Sequence, residues 1–193
     1  MQTICVYSSS SDALADEYYQ DAKVLGVMLA QRHYHLVYGG ARIGLMGAVA
    51  TAVKENHGKV TGIIPQKIHQ MGIAFDLADE LLVTPDLRER KARMEEKADA
   101  FIALPGGFGT LEEILEVMTL KQLRYHSKPI IFLNTLGFYN PLLEFFEHIY
   151  QGHFAKPDYR LLYHIAPDVP SIFQYLDTYQ PTMIADKWFK KNE

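Results

Sequence analysis

Short apolar runs alternate along the chain with longer stretches in which apolar residues recur every three or four positions. Residues 3–7, 35–38, 60–64, 80–83, 100–104, 129–133 and 161–165 are the short runs, and they read as strands. Residues 12–31, 44–56, 86–97, 110–125, 141–150 and 169–179 carry the longer period and read as helices. Leu14, Tyr18, Leu25 and Leu29 mark the first of these, and Leu111, Ile114, Leu115 and Met118 mark the fourth. Gly58 closes the second helix as a C-terminal glycine would. Pro65 stops the third strand, and residues 65–79, with weak periodicity, read as a loop. Strands that alternate with helices predict a parallel sheet covered on both faces. Ligands of such sheets sit beyond the carboxyl ends of the strands. That rule directs attention to residues 8–11, 39–47 and 105–110.

The expected class is therefore α/β, a Rossmann-like three-layer sandwich with a central, mostly parallel sheet flanked by helices. At 193 residues the chain fits a single domain spanning 1–193. Its tail, from about residue 181, is ordered only if something packs on Trp188 and Phe189. Apolar residues make up 48% and charged residues 22%, ordinary globular values that exclude disorder. A net charge of −4 argues against nucleic acid as a partner, because phosphate contacts want a basic face. The lone cysteine, Cys5, can form no internal disulfide and reads as a buried strand residue in a reducing compartment. No leader segment is visible, and no apolar run approaches the roughly 18 residues of a membrane helix. The expectation is a cytoplasmic protein with no membrane partner. The eight histidines have no metal-ligand spacing, so neither a metal nor a cofactor is expected.

Three segments could carry chemistry. Pro105-Gly106-Gly107-Phe108-Gly109-Thr110-Leu111-Glu112-Glu113 runs from a strand into a helix. Its glycines let a ligand approach the backbone, and the helix start offers free N–H groups and a positive dipole end that suit a phosphate. The plainer alternative is a Gly-rich turn with Thr110 as cap and Glu113 closing a capping box. The second segment, Gly39-Gly40-Ala41-Arg42-Ile43-Gly44-Leu45-Met46-Gly47, is another strand–glycine–helix junction. It is neither a Walker A loop nor a clean G-x-G-x-x-G, so ATP hydrolysis and standard NAD binding are unsupported. Gly39, Gly40 and Met46 here, with Ser10 after the first strand, are further substrate-contact candidates. The third is Asp86-Leu87-Arg88-Glu89-Arg90-Lys91-Ala92-Arg93-Met94. Leu87 and Met94 share a helix face and are expected to pack inward; spacing alone favours a solvated charged helix.

Together these segments resemble the LOG (Lonely Guy) family, first labelled "lysine decarboxylase-like", of cytokinin riboside 5′-monophosphate phosphoribohydrolases. The family's R-K-x-x-M helix is matched by Arg90-Lys91-Ala92-Arg93-Met94, and its P-G-G-x-G-T-x-x-E turn by residues 105–113. Its G-G-G-x-x-G-L-M-G segment is matched by residues 39–47, with Ala41 replacing the third glycine. The match runs from about residue 3 to 150. The resemblance implies a catalytic pair at Arg90 and Glu113. It implies substrate contacts at Lys91, Gly107, Phe108, Gly109, Thr110, Leu111, Glu112 and Thr119. Two positions depart from the family. Ser8-Ser9 stands where Cys-Gly is usual, and the loop at 66–79 lacks a glutamate. Both bear on base recognition more than on hydrolysis.

The activity so implied is hydrolysis of the N-glycosidic bond of a nucleoside 5′-monophosphate, AMP or a cytokinin ribotide, to free base and ribose 5-phosphate. Positive charge builds on the ribose, and a carboxylate can stabilise it or activate water. Read in the first helical turn, Glu113 is expected to be held ionised by the helix dipole. Arg90, always charged, would hydrogen-bond phosphate or leaving base. The main rival is a non-catalytic nucleotide carrier or sensor, which would need neither residue. A pyridoxal phosphate decarboxylase would need a Schiff-base lysine, and nothing specifies one. A single-stranded nucleic-acid module is opposed by the acidic balance. The family usually forms homodimers; Leu115, Met118 and Leu123 suit such a contact and suit the core equally.

Overall fold

The computed structural model describes residues 2–182. Trp188 and Phe189 lie outside the described residues. Seven strands form one sheet: β1 (Thr3–Tyr7), β2 (His35–Tyr38), β3 (Lys59–Pro65), β4 (Glu80–Thr84), β5 (Ala100–Ala103), β6 (Ile130–Leu133) and β7 (His164–Ala166). The order is β4-β3-β2-β1-β5-β6-β7, and every pairing is parallel. The helices are α1 (Asp16–Gln31), α2 (Gly44–Glu55), α3 (Gln66–His69), α4 (Leu87–Lys97), α5 (Phe108–Gln122), α6 (Asn140–Gln151) and α7 (Val169–Thr178). None is long and apolar enough to cross a membrane.

The sheet separates two cores. On one face Leu25 and Leu29 of α1, Val49 and Val53 of α2 and Phe173 of α7 pack against Ile4, Leu36 and Ile102. On the other, Met94 of α4, Ile114 and Val117 of α5 and Phe146 of α6 pack against Cys5, Val37 and Phe132. Central strands covered on both faces must be apolar throughout, which is why β5 and β6 are fully buried while β4, at the edge, is not. The chain winds outward from β1 to β4, then crosses back so that β5 lies on the other side of β1. This reversal opens a crevice at the carboxyl ends of β1 and β5.

Three boundaries differ from the periodic reading. Helix α1 begins at Asp16 rather than Asp12, because the Asp12 carboxylate instead accepts from the Gly44 N–H at 2.7 Å and caps α2. The expected loop at 65–79 opens with α3, then runs back along the second glycine turn. There Arg42 N–H donates to the Ile73 carbonyl at 2.8 Å and Phe75 N–H to the Gly40 carbonyl at 3.0 Å. The last strand is His164–Ala166, preceded by a 3₁₀ turn over Pro157–Leu162.

Candidate functional site

Four chain turns meet at the carboxyl edge of the sheet. They are the serines after β1, Gly39 after β2, Pro65 ending β3 and Gly107 after β5. With Ile68, Ile73, Leu87, Arg90 and the start of α5 they line a cavity of about 560 Å³. One side is apolar, formed by Met46, Pro65, Ile68, Ile73 and Leu87. Arg90, Thr110 and Glu113 supply much of the polar side.

Arg90 reaches the cavity because α4 is anchored at its start. The Asp86 carboxylate accepts from the N–H groups of Arg88 and Glu89 at 2.8 and 2.9 Å. From the buried face of α4 the Arg90 Nε donates to the Ile63 carbonyl at 3.0 Å, and Nη1 donates to Glu113 Oε1. Both side chains are under 10% exposed. Gly39 makes room for this arm. A Cβ there would collide with Arg90 Nη2 and come within 3.0 Å of Met46 Sδ. The second half of the expected inward pair on α4 fails: Met94 is buried, but Leu87 is 59% exposed at the cavity edge.

Helix α5 starts two residues earlier than its periodicity predicts, with Gly107 in the N-cap position and no side-chain cap. Thr110 therefore lies inside the first turn, buried, with its Oγ packed over Gly106. Glu113 falls in the second turn. The capping box does not form; Glu113 turns to Arg90 instead. Burial pushes the Glu113 carboxyl above its ordinary value, and Arg90 only partly offsets this. The expected dominance of the helix dipole is thereby reversed. Below it, burial also raises the Tyr7 hydroxyl and the Cys5 thiol, leaving both neutral, and Cys5 is a core residue as expected.

The two glycine turns differ in what their helix starts have left to offer. At α2, Gly44 N–H is taken by Asp12, and Leu45 and Met46 N–H donate to the Ser9 carbonyl at 2.9 and 3.3 Å. At α5, no described residue accepts from the N–H groups of Phe108, Gly109 or Thr110. Gly107 and Gly109 also face open space, where an added Cβ would touch nothing within 4 Å. An anion can therefore be held at α5 and not at α2.

Of the sequence-derived candidates, Arg90, Glu113, Gly107, Phe108, Gly109, Thr110, Gly39, Met46 and Ser10 line the cavity. Five others do not. Lys91 Nζ is tied to Glu112 and, at 2.8 Å, to Glu116 on the outer surface. Leu111 packs on the core beneath α5. Thr119 is exposed and its hydroxyl donates to the Leu115 carbonyl at 2.8 Å. Gly40 serves the backbone, with φ of +78° and a Cβ position against Ile64. Sequence reasoning missed Ile68 and Ile73, which sit in the stretch read as loop; Ser8, Ser9 and Ser11 line the cavity within the 8–11 segment to which the strand-end rule pointed. Lys121 is buried, and burial lowers its ammonium to about 8, but it donates to the Leu162 carbonyl at 2.9 Å and does not line the cavity.

A family described as "Possible lysine decarboxylase" matches residues 46–176. The chain is 43% identical over 178 residues to the cytokinin riboside 5′-monophosphate phosphoribohydrolase LOG5 of Arabidopsis thaliana, covering 92% of this chain and 78% of that one. It is 41% identical over 179 residues to the probable cytokinin riboside 5′-monophosphate phosphoribohydrolase LOGL2 of Oryza sativa subsp. japonica, covering 92% and 73%. Among solved structures, the molybdenum cofactor carrier protein MCP from Chlamydomonas reinhardtii superposes with a TM-score of 0.71 at 23% identity, covering 91% of this chain and 96% of that one. At that identity the likeness speaks for the fold alone.

Proposed function

The chain belongs to the family described as possible lysine decarboxylases, together with the LOG phosphoribohydrolases, and from that premise we propose that it hydrolyses the N-glycosidic bond of nucleoside 5′-monophosphates. The observation that carries this reading is the buried Arg90–Glu113 pair set beside a helix start with free amides. Phosphate, sugar and base each then have a place. The N–H groups of Phe108, Gly109 and Thr110 take the phosphate. The apolar wall of Met46, Ile68, Ile73 and Leu87 takes the base, with room for an apolar substituent as in a cytokinin ribotide.

In the reaction the bond from C1′ to the base nitrogen breaks, a water oxygen bonds to C1′, one water proton ends on the base nitrogen, and free base leaves with ribose 5-phosphate. Glu113 opposes the positive charge that develops on the ribose, or draws the proton from the attacking water. It does so in a buried site, where a fixed charge acts more strongly than in water. Arg90 holds that carboxylate through Nη1 and keeps Nη2 over Gly39 for the phosphate or the leaving base. Thus Arg90 positions the acid and binds ligand, and takes no proton.

The same reading places the protein in the cytoplasm as a homodimer, in keeping with its single buried cysteine and the exposed outer face of α5.

Glu113→Gln tests the assignment. Base release from AMP or isopentenyl-AMP is expected to fall at least about 100-fold, the scale of a lost acid–base group. The change takes away the counter-charge of Arg90, while burial favours a neutral side chain at this position, so the melting temperature is read beside the activity to show that the variant folds. Glu113→Asp keeps the charge and withdraws it, so it should also lose activity. Near-normal turnover in either folded variant would contradict the role given to Glu113.

A further inference from the structure

Residues 66–79 bring two isoleucines, Ile68 and Ile73, to the apolar wall of the cavity. Little within the segment fixes its path. Helix α3 is a single turn, and Gly72, with φ of +70°, bends the chain after it. The brace comes from Arg42 in the second glycine turn. Its N–H donates to the Ile73 carbonyl at 2.8 Å, and its Nη1 donates to the Gly72 carbonyl and, at 3.4 Å, to that of Ala74. One residue thus meets three successive carbonyls. Phe75 N–H adds a bond to the Gly40 carbonyl at 3.0 Å, and Ala74 and Phe75 are buried. Arg42 does not itself line the cavity. Ile73 does, and it is only partly buried.

The composition of the wall limits what it can read. Met46, Pro65, Ile68, Ile73 and Leu87 carry no strong hydrogen-bonding group in their side chains, so they sense apolar area and not the donor pattern of a base edge. The wall is also remote from the phosphate end. It meets the ends of β2 and β3, whereas the free amides of α5 follow β5. In the strand order, β3 is three spacings from β5, about 14 Å. Met46 lies beside Gly39 and Arg90, at the reacting end of the site. The segment that carries Ile73 holds no group the reaction uses. We infer that Ile73 selects nucleoside monophosphates whose base bears an apolar substituent, and that Arg42 is the positioning residue that holds Ile73 at the cavity. The inference rests on the reading of this cavity as a nucleoside monophosphate site.

The test measures KM for isopentenyl-AMP and the inhibition constant of AMP against its cleavage, in wild type, Ile73→Ala, Ile73→Val, Arg42→Ala and Arg42→Lys. Selectivity is the inhibition constant divided by KM. Ile73→Ala is expected to lower it about tenfold or more, the scale of apolar groups removed from such a wall. The loss should be carried by KM rather than kcat, because the contact is the same in the bound substrate and in the transition state. Ile73→Val should fall between. Arg42→Ala should lower selectivity about threefold through a displaced Ile73, the scale of a lost hydrogen bond. Arg42→Lys, still a cationic donor, should restore most of it. Unchanged selectivity in Ile73→Ala, or equal losses on both nucleotides, would overturn the inference. Selectivity that falls in Ile73→Ala but not in Arg42→Ala would overturn the role of Arg42. A wild type that binds both nucleotides and releases no base would overturn the hydrolase reading instead. The same ratio, taken from calorimetric dissociation constants, would then decide this inference by the same outcomes.

Discussion

Two residues show how function and stability pull apart in this site. Gly109 lies inside α5, where alanine is the better helix former by about 0.5–1 kcal/mol, and its Cβ position is open. Nothing within the protein calls for glycine there; close approach of a ligand to the backbone does. Gly109→Ala is therefore expected to raise the melting temperature slightly while weakening AMP binding, measured by thermal unfolding and by titration of the same sample. A variant that binds AMP as the wild type does would remove α5 as the phosphate holder. Glu113 shows the second conflict. Burial raises its carboxyl above the ordinary 4.5. The proton is then retained to higher pH in the fold than in the unfolded chain. Its contribution to stability is full below the unfolded value and is lost as pH rises through the folded one. Activity runs the other way, since the ionised form does the work. The acid limb of kcat/KM should accordingly lie above the ordinary glutamate value, and a limb at or below it would contradict an ionised, buried Glu113.

At the scale of elements, α5 does three jobs with three parts. Its start offers amides, its inner face buries Ile114, Val117 and Met118, and its outer face leaves Leu115 exposed at 36%, with Leu123 just past its end exposed at 43%. This divides the residues that the sequence left shared between core and dimer contact: Met118 belongs to the core. A contact between copies through the outer face predicts that Leu115→Glu combined with Leu123→Glu halves the mass seen in sedimentation. A wild type that already sediments as a monomer would remove the dimer, and an unchanged dimer in the variant would move the contact elsewhere. Helices and strands with a strong period were legible from the residues themselves. What was not legible depends on distant partners. Asp12 caps α2 across 32 positions rather than opening its own helix. Thr110 looks like a cap by residue type, but the extended backbone at Gly107 lets α5 begin earlier. Residues 66–79 have no period because they hug the second glycine turn, and that path is what brings Ile68 and Ile73 to the cavity.

For the whole molecule, the strand order explains why residues as far apart in sequence as Ser8, Gly39, Arg90 and Glu113 share one cavity. Each lies on or just past an element that ends or begins at the carboxyl edge, beside the point where the chain reverses across β1. The alternation of elements made that edge legible, and the motifs named most of its residues. Burial was not legible: a helix as charged as α4 reads as solvated, yet it delivers Arg90 to a site under 10% exposed. The central claim is hydrolysis at this edge. It is tested most directly by incubating the full chain with isopentenyl-AMP and with AMP and quantifying both products by chromatography. Free base and ribose 5-phosphate should appear in equal amounts and depend on Glu113. Intact nucleotide recovered from a folded protein that binds it would contradict the claim.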